Sequence, residues 1–272
     1  MDVTRTKRRR VGGRQRRIRE RLARGGPGRA RRRVPRSAVP SFFTLLNLFS
    51  GFLAVTQIAE GNFHNACWLI VLAGFFDLLD GMMARMTRSQ SPFGVELDSL
   101  SDVVSFGLAP SFLVYEFGLR DAGPLGLIVS SLPAVCGAVR LARFNVRATD
   151  EKKDYFEGLP IPVQAAFIVA LILNVSDPQS FRDFSPGNLS GLIPVVAVLS
   201  ALMVSTIRFD ALPRPTRGFI RANRWKTITY LVALVALAVF QQIGLLAVLT
   251  IYIVHALFRS LRNVFVDPVQ GE

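Results

Sequence analysis

The sequence predicts an all-α fold: a polytopic bundle of about eight transmembrane helices (six at the fewest) behind an Arg-rich N-terminal tail. Three observations carry that prediction. Half of the 272 residues are hydrophobic, and the mean hydropathy is +0.36. Several apolar runs approach the ~20 residues that a helix needs to cross a bilayer. The formal charge of +14 is concentrated at one end, where residues 1–37 hold 16 Lys and Arg against Asp2 and Glu20. The remaining 235 residues carry 17 basic and 17 acidic side chains, so the excess basicity belongs to the tail.

Three regions follow. Residues 1–39 form a basic tail, 40–262 a membrane domain, and 263–272 a short C-terminal tail. The basic tail reads as disordered or amphipathic. Residues 14–24 form a basic stretch with Ile18 and Leu22 on one helical side, suited to anionic lipid at about 1 kcal/mol per basic residue near the surface. No aromatic residues interleave with the arginines, so no nucleic-acid partner is expected. No short apolar core with a small-residue cleavage site marks a signal peptide.

The expected helices lie near 42–60, 65–86, 93–118, 124–143, 162–176, 189–207, 226–241 and 243–259. Loop charge sets their orientation. With the N-terminus in the cytoplasm, the cytosolic loops and their flanks hold Arg85, Arg88, Arg140, Arg143, Arg147 and most other basic residues of the domain. The outer connections hold only Arg120 and Arg182. Both termini are therefore expected in the cytoplasm, and a prokaryotic cell membrane is the expected location. Cys67 and Cys136 fall in apolar runs at no ligand-like spacing and read as reduced core thiols, and His64 and His255 read as structural.

Residues 77–102 stand apart from this pattern. Asp77, Asp80, Asp98 and Asp102 interrupt membrane-like sequence. One Asp at a helix centre costs about +2.5 to +3.5 kcal/mol, so four unpaired would cost up to about 10–14 kcal/mol. Asp77, Asp80, Gly81, Ala84 and Arg85 share one helical face, as do Gly94, Asp98 and Asp102. The link between the two helices is short, near 87–92, which makes them antiparallel neighbours. Asp77 and Asp102 lie equally far from its middle, and Asp80 and Asp98 nearly so. The carboxylates are thus expected to converge near the cytosolic boundary of the hydrocarbon. Clustered carboxylates repel unless cations lie between them, and hard oxygen donors suit a pair of Mg²⁺ or Mn²⁺ ions. A pair of metals can clamp both oxygens of a phosphoryl displacement. Gly81, Ala84 and Gly94 leave room on the same faces for a ligand. The plainer alternative is a packed hairpin with salt bridges to Arg85 and Arg88.

The run D-x-x-D-G-x-x-A-R-x(8)-G-x(3)-D-x(3)-D resembles the signature of the CDP-alcohol phosphatidyltransferase family at every fixed position: Asp77, Asp80, Gly81, Ala84, Arg85, Gly94, Asp98 and Asp102. The resemblance implies transfer of a phosphatidyl group from a CDP-linked lipid to an alcohol, with release of CMP. It implies that Asp77, Asp80 and Asp98 ligate a divalent pair. Asp102 would complete that site and take the alcohol proton. It also implies a homodimer.

Residues 40–52, 105–110 (S-F-G-L-A-P), 140–145 (R-L-A-R-F-N) and 158–162 (G-L-P-I-P) look like the phosphatidylserine synthase branch of that family. Ser41 departs from the branch, where Asn is frequent; Thr44 and Asn47 remain and would help hold the nucleotide. The implied substrates are CDP-diacylglycerol and serine. Arg140, Arg143 and Asn145 end the fourth helix, where they could meet a lipid phosphate or the serine carboxylate through paired hydrogen bonds. Positive-inside anchoring is the competing role for these arginines. The alternatives are phosphatidylglycerophosphate or phosphatidylinositol-phosphate synthesis within the family, or a divalent-cation transporter. Against a transporter, the carboxylates cluster at one membrane face, and no polar path continues through the later helices.

Overall fold

The computed structural model describes residues 38–87, 91–147, 155–176, 191–210, 243–260 and 262. The expected helix near 226–241, the Arg-rich tail, the C-terminal tail and Arg88 lie outside the described residues. The other seven expected helices are present. Helix α1 spans Ala38–Ala59 and α2 Phe63–Thr87. Helix α3, Pro92–Asp102, runs through a π-helical turn, Val103–Leu108, into α4, Ala109–Val114. A second π-helical turn, Tyr115–Leu119, and a 3₁₀ turn, Arg120–Ala122, lead into α5, Gly123–Arg147. Then follow α6, Ile161–Ser176, α7, Leu192–Val204, and α8, Ile243–Ser260.

Bilayer chemistry explains which residues face inward. In α1 the buried positions Thr44, Asn47, Gly51, Ala54 and Ile58 recur every three or four residues, one stripe of a helix. The opposite face exposes Phe42, Leu45, Phe49 and Phe52, each more than half accessible. In water that arrangement would be inverted. In lipid, large apolar side chains face the acyl chains, and small or polar residues pack between helices. Helix α2 repeats the plan. Ala66, Ile70 and Ala73 are buried and lead into Asp77 and Asp80, while Trp68, Phe75 and Leu78 face out.

Four apolar helical stretches are long enough to cross a membrane: 41–59, 63–86, 92–146 and 243–260. The third, of 55 residues, turns back at the Arg120–Ala122 turn and so supplies two spans. Helices α6 and α7 are shorter. At 16 residues α6 is about 24 Å long, short of the ~30 Å hydrocarbon. This is an all-α integral membrane fold.

One local departure from the helical expectation lies in the connections after α5 and α7. Residues within the connections expected as loops form a two-stranded antiparallel ribbon, β1, Tyr155–Glu157, against β2, Arg208–Asp210. The register sets Phe156 opposite Phe209 and Glu157 opposite Arg208. Phe209 is fully buried, and its ring lies 5.8 Å from that of Tyr252 in α8. One buried aromatic thereby anchors the ribbon to the bundle. Gly158 follows with φ +78°, and its N–H donates to the Ile207 carbonyl at 2.9 Å. The left-handed backbone there suits glycine and turns the chain into the bundle at Leu159, which is fully buried.

Candidate active site

Helix α3 begins where its sequence says it should. The Ser91 hydroxyl accepts from the Gly94 N–H at 3.0 Å, with Pro92 in the first turn. From that start Asp98, Ser101, Asp102 and Ser105 follow on the side that meets α1 and α2. Two serines then fix α3 and the π-helical turn after it to α1. Ser101 Oγ donates to the Thr44 carbonyl at 3.1 Å, and Ser105 Oγ donates to the Asn47 carbonyl at 3.0 Å. Gly51 permits the close approach, because a side chain there would bring its Cβ within 2.8 Å of the Ser105 Cα.

That packing sets the carboxylates. Oxygens of Asp77, Asp98 and Asp102 all lie within 4.8 Å of one another. Asn47 Nδ2 donates to Asp102 Oδ1 at 3.3 Å. Asp80 is not one of the convergent three: the Thr44 hydroxyl donates to its Oδ2. Among the described residues none of the four aspartates forms an ion pair with Lys or Arg. Arg85 is exposed and folds back along α2, its guanidinium nitrogens 3.8–4.0 Å from where a Gly81 Cβ would stand. It does not neutralise the carboxylates, so the salt-bridged hairpin with Arg85 is not formed.

A divalent cation fits this donor set. Three hard, anionic oxygen donors converge from two apolar helices, where an unpaired carboxylate is costly, and among the described residues no Lys or Arg forms an ion pair with them. The buried Asn47 Oδ1 has no hydrogen-bond partner among the described residues, so one further oxygen acceptor beside Asp102 is available.

The small residues divide in use. Gly94 belongs to the helix cap. Gly81 and Ala84 sit half-buried beside the aspartates on α2. The three residues at the end of α5 divide as well. Arg143 donates from Nη1 to the Val204 carbonyl at 2.9 Å and from Nη2 to those of Glu157, Ser205 and Met203 at 3.4, 3.3 and 3.5 Å. It caps the end of α7, where carbonyls lack intrahelical partners, and ties that end to β1. Asn145 Nδ2 donates to Ser99 Oγ at 2.9 Å and joins α5 to α3. Arg140 is buried, and its Nε has no hydrogen-bond partner among the described residues.

Ser101 and Ser105 are not among the site residues expected from sequence, although Ser105 opens the S-F-G-L-A-P stretch. Their signal was available: they alternate with Asp98 and Asp102 on one side of a helix, at the spacing that faces a neighbour. Cys67 and Cys136 are free thiols, as expected, and His64 Nε2 accepts from Trp68 Nε1 at 3.1 Å.

Comparison with known proteins supplies the deciding observation. The family model for CDP-alcohol phosphatidyltransferases matches residues 37–201. The chain belongs to that family. This phosphatidyltransferase is 35% identical over 211 residues to the CDP-diacylglycerol–serine O-phosphatidyltransferase of Helicobacter pylori, covering 76% of this chain and 87% of that protein. It is 32% identical over 187 residues to the enzyme of the same name from Bacillus subtilis, covering 69% and 98%. It is 39% identical over 174 residues to the archaetidylserine synthase of Methanothermobacter thermautotrophicus, covering 63% and 69%. The chain is thus a transferase of phosphate-containing groups, and the convergent aspartates of α2 and α3 lie within the matched region.

Proposed function

We propose that this enzyme transfers the phosphatidyl group of CDP-diacylglycerol to the hydroxyl of L-serine, giving phosphatidylserine and CMP. The observation that carries the reaction is the set of three converging carboxylates with no ion-pair partner among the described residues. The activity for which the Helicobacter and Bacillus relatives are named supports serine as the acceptor. In the reaction a new bond joins the serine oxygen to the phosphatidyl phosphorus. The bond from that phosphorus to the CMP oxygen breaks, and CMP leaves with its electron pair. The hydroxyl proton passes to a base.

Asp77, Asp80 and Asp98 would hold a Mg²⁺ or Mn²⁺ pair, completed by Asp102. Such a pair supplies charge neutralisation at the donor pyrophosphate. Asp102 takes the serine proton. Its partner Asn47 Nδ2 holds one carboxylate oxygen, so the other is free to face the hydroxyl. Thr44 does the same for Asp80. Gly81 and Ala84 give the donor access to the backbone of α2, and Thr44 and Asn47 would help hold the nucleotide. The charge asymmetry of the loops supports a site at the cytoplasmic face, where the cytidine arrives from water while the acyl chains stay in lipid.

The test is Asp102→Asn in vesicles with CDP-diacylglycerol, serine and Mg²⁺. CMP release should fall by about 10³-fold, within the usual range for loss of a general base. Binding of CDP-diacylglycerol should persist. CMP release near the wild-type rate would contradict the role of Asp102.

A further inference from the structure

The two arginines near the end of α5 have different fates, and the difference identifies a ligand. Arg143 has spent its donors on carbonyls of β1 and the α7 terminus. Arg140, one turn deeper on the same helix, is 7% exposed, and its Nε is buried with no hydrogen-bond partner among the described residues. A buried guanidinium with an unmade bond is costly, and an anion supplied by a ligand offsets that cost.

Asp102 and the Tyr252 phenol lie within electrostatic reach of Arg140, and Asp102 is the carboxylate of the pair. No ion pair closes between them. Base and cation are thus neighbours with a gap between. Serine is built to span such a gap, since its carboxylate and its hydroxyl-bearing carbon hang on the same α-carbon. A hydroxyl directed at Asp102 would leave the carboxylate within reach of Arg140. A planar guanidinium also matches a carboxylate through two parallel hydrogen bonds.

We propose that Arg140 receives the carboxylate of the acceptor and so determines the preference for an amino acid over a neutral alcohol. The inference rests on the serine reading. Arg143 is then a positioning residue that holds the end of α7 and the Gly158 turn against α5 and touches no substrate.

The experiment compares L-serine with L-serinamide, which keeps the shape and loses the carboxylate charge. CMP release is measured with each, in wild type, Arg140→Gln and Arg140→Lys. Wild type should prefer serine by about 100-fold in kcat/KM, the scale of a charge-assisted pair. In Arg140→Gln the preference should collapse to a few-fold, mostly through the KM for serine, and Arg140→Lys should restore part of it. Because the ratio is taken within one preparation, partial unfolding cancels. An unchanged serine-to-serinamide ratio in Arg140→Gln, with both rates lowered equally, would overturn the inference and assign Arg140 to the donor phosphate or to packing. Wild-type CMP release that ignores serine and needs another alcohol would instead overturn the serine reading, and this inference with it.

Discussion

Two corners of the bundle treat charge in opposite ways. Where α1, α2 and α3 meet, three carboxylates face one another, with a hydrogen bond from Asn47 to Asp102 and no ion-pair partner among the described residues. Where α5 meets α7 and β1, one cation, Arg143, is matched by four backbone carbonyls. The second corner is complete as it stands. The first is complete only with something bound. A membrane protein keeps uncompensated charge at depth only where a ligand repays it. That contrast separates site from scaffold more sharply than residue type does, because both corners hold charged residues.

The contrast can be broken from the site side with the largest effect. Asp98→Asn should reduce CMP release by at least about 100-fold, more than the loss of an outer-sphere partner usually costs. It should also weaken Mn²⁺ binding in a direct titration, a readout independent of turnover. Unchanged Mn²⁺ affinity would remove Asp98 from the metal site. Thr44→Val should act through Asp80 and cost about 10-fold in activity at limiting metal. Excess Mg²⁺ should recover part of that loss, and a deficit insensitive to metal concentration would refute the route through Asp80.

From the scaffold side the effects are smaller and fall on stability. Arg143→Ala should lower unfolding stability by about 2 kcal/mol, the range for hydrogen bonds from a charged group. This would be read as an earlier thermal transition in detergent. Its serine-to-serinamide ratio should stay at the wild-type value, and a collapsed ratio would make Arg143 a recognition residue. Ser105→Ala should be the mildest change, about 1 kcal/mol with activity within a few-fold, because Asn47 keeps its side-chain bond to Asp102. A loss of activity as large as that of Asp98→Asn would show that the serine does more than join two helices.

Much of this contrast was legible in the sequence. The apolar runs set the helices, and the depth-matched aspartates set where α2 and α3 meet. The separation of Asp80 from the other three was not legible, since it depends on a hydroxyl from α1, 36 positions away in the chain. The three polar residues at the end of α5 looked equivalent for the same reason. Arg143 meets carbonyls some 60 positions downstream, and backbone acceptors leave no trace in side-chain identity. The β1–β2 ribbon was hidden too, since three residues per strand are too few to show a period.

The most direct measurement is CMP release by the purified protein from CDP-diacylglycerol with Mg²⁺ or Mn²⁺, offering serine, glycerol 3-phosphate and inositol phosphate one at a time. The account predicts release with serine alone, abolished by chelation and restored by either metal. Release with another acceptor and not with serine, or release that survives chelation, would contradict it.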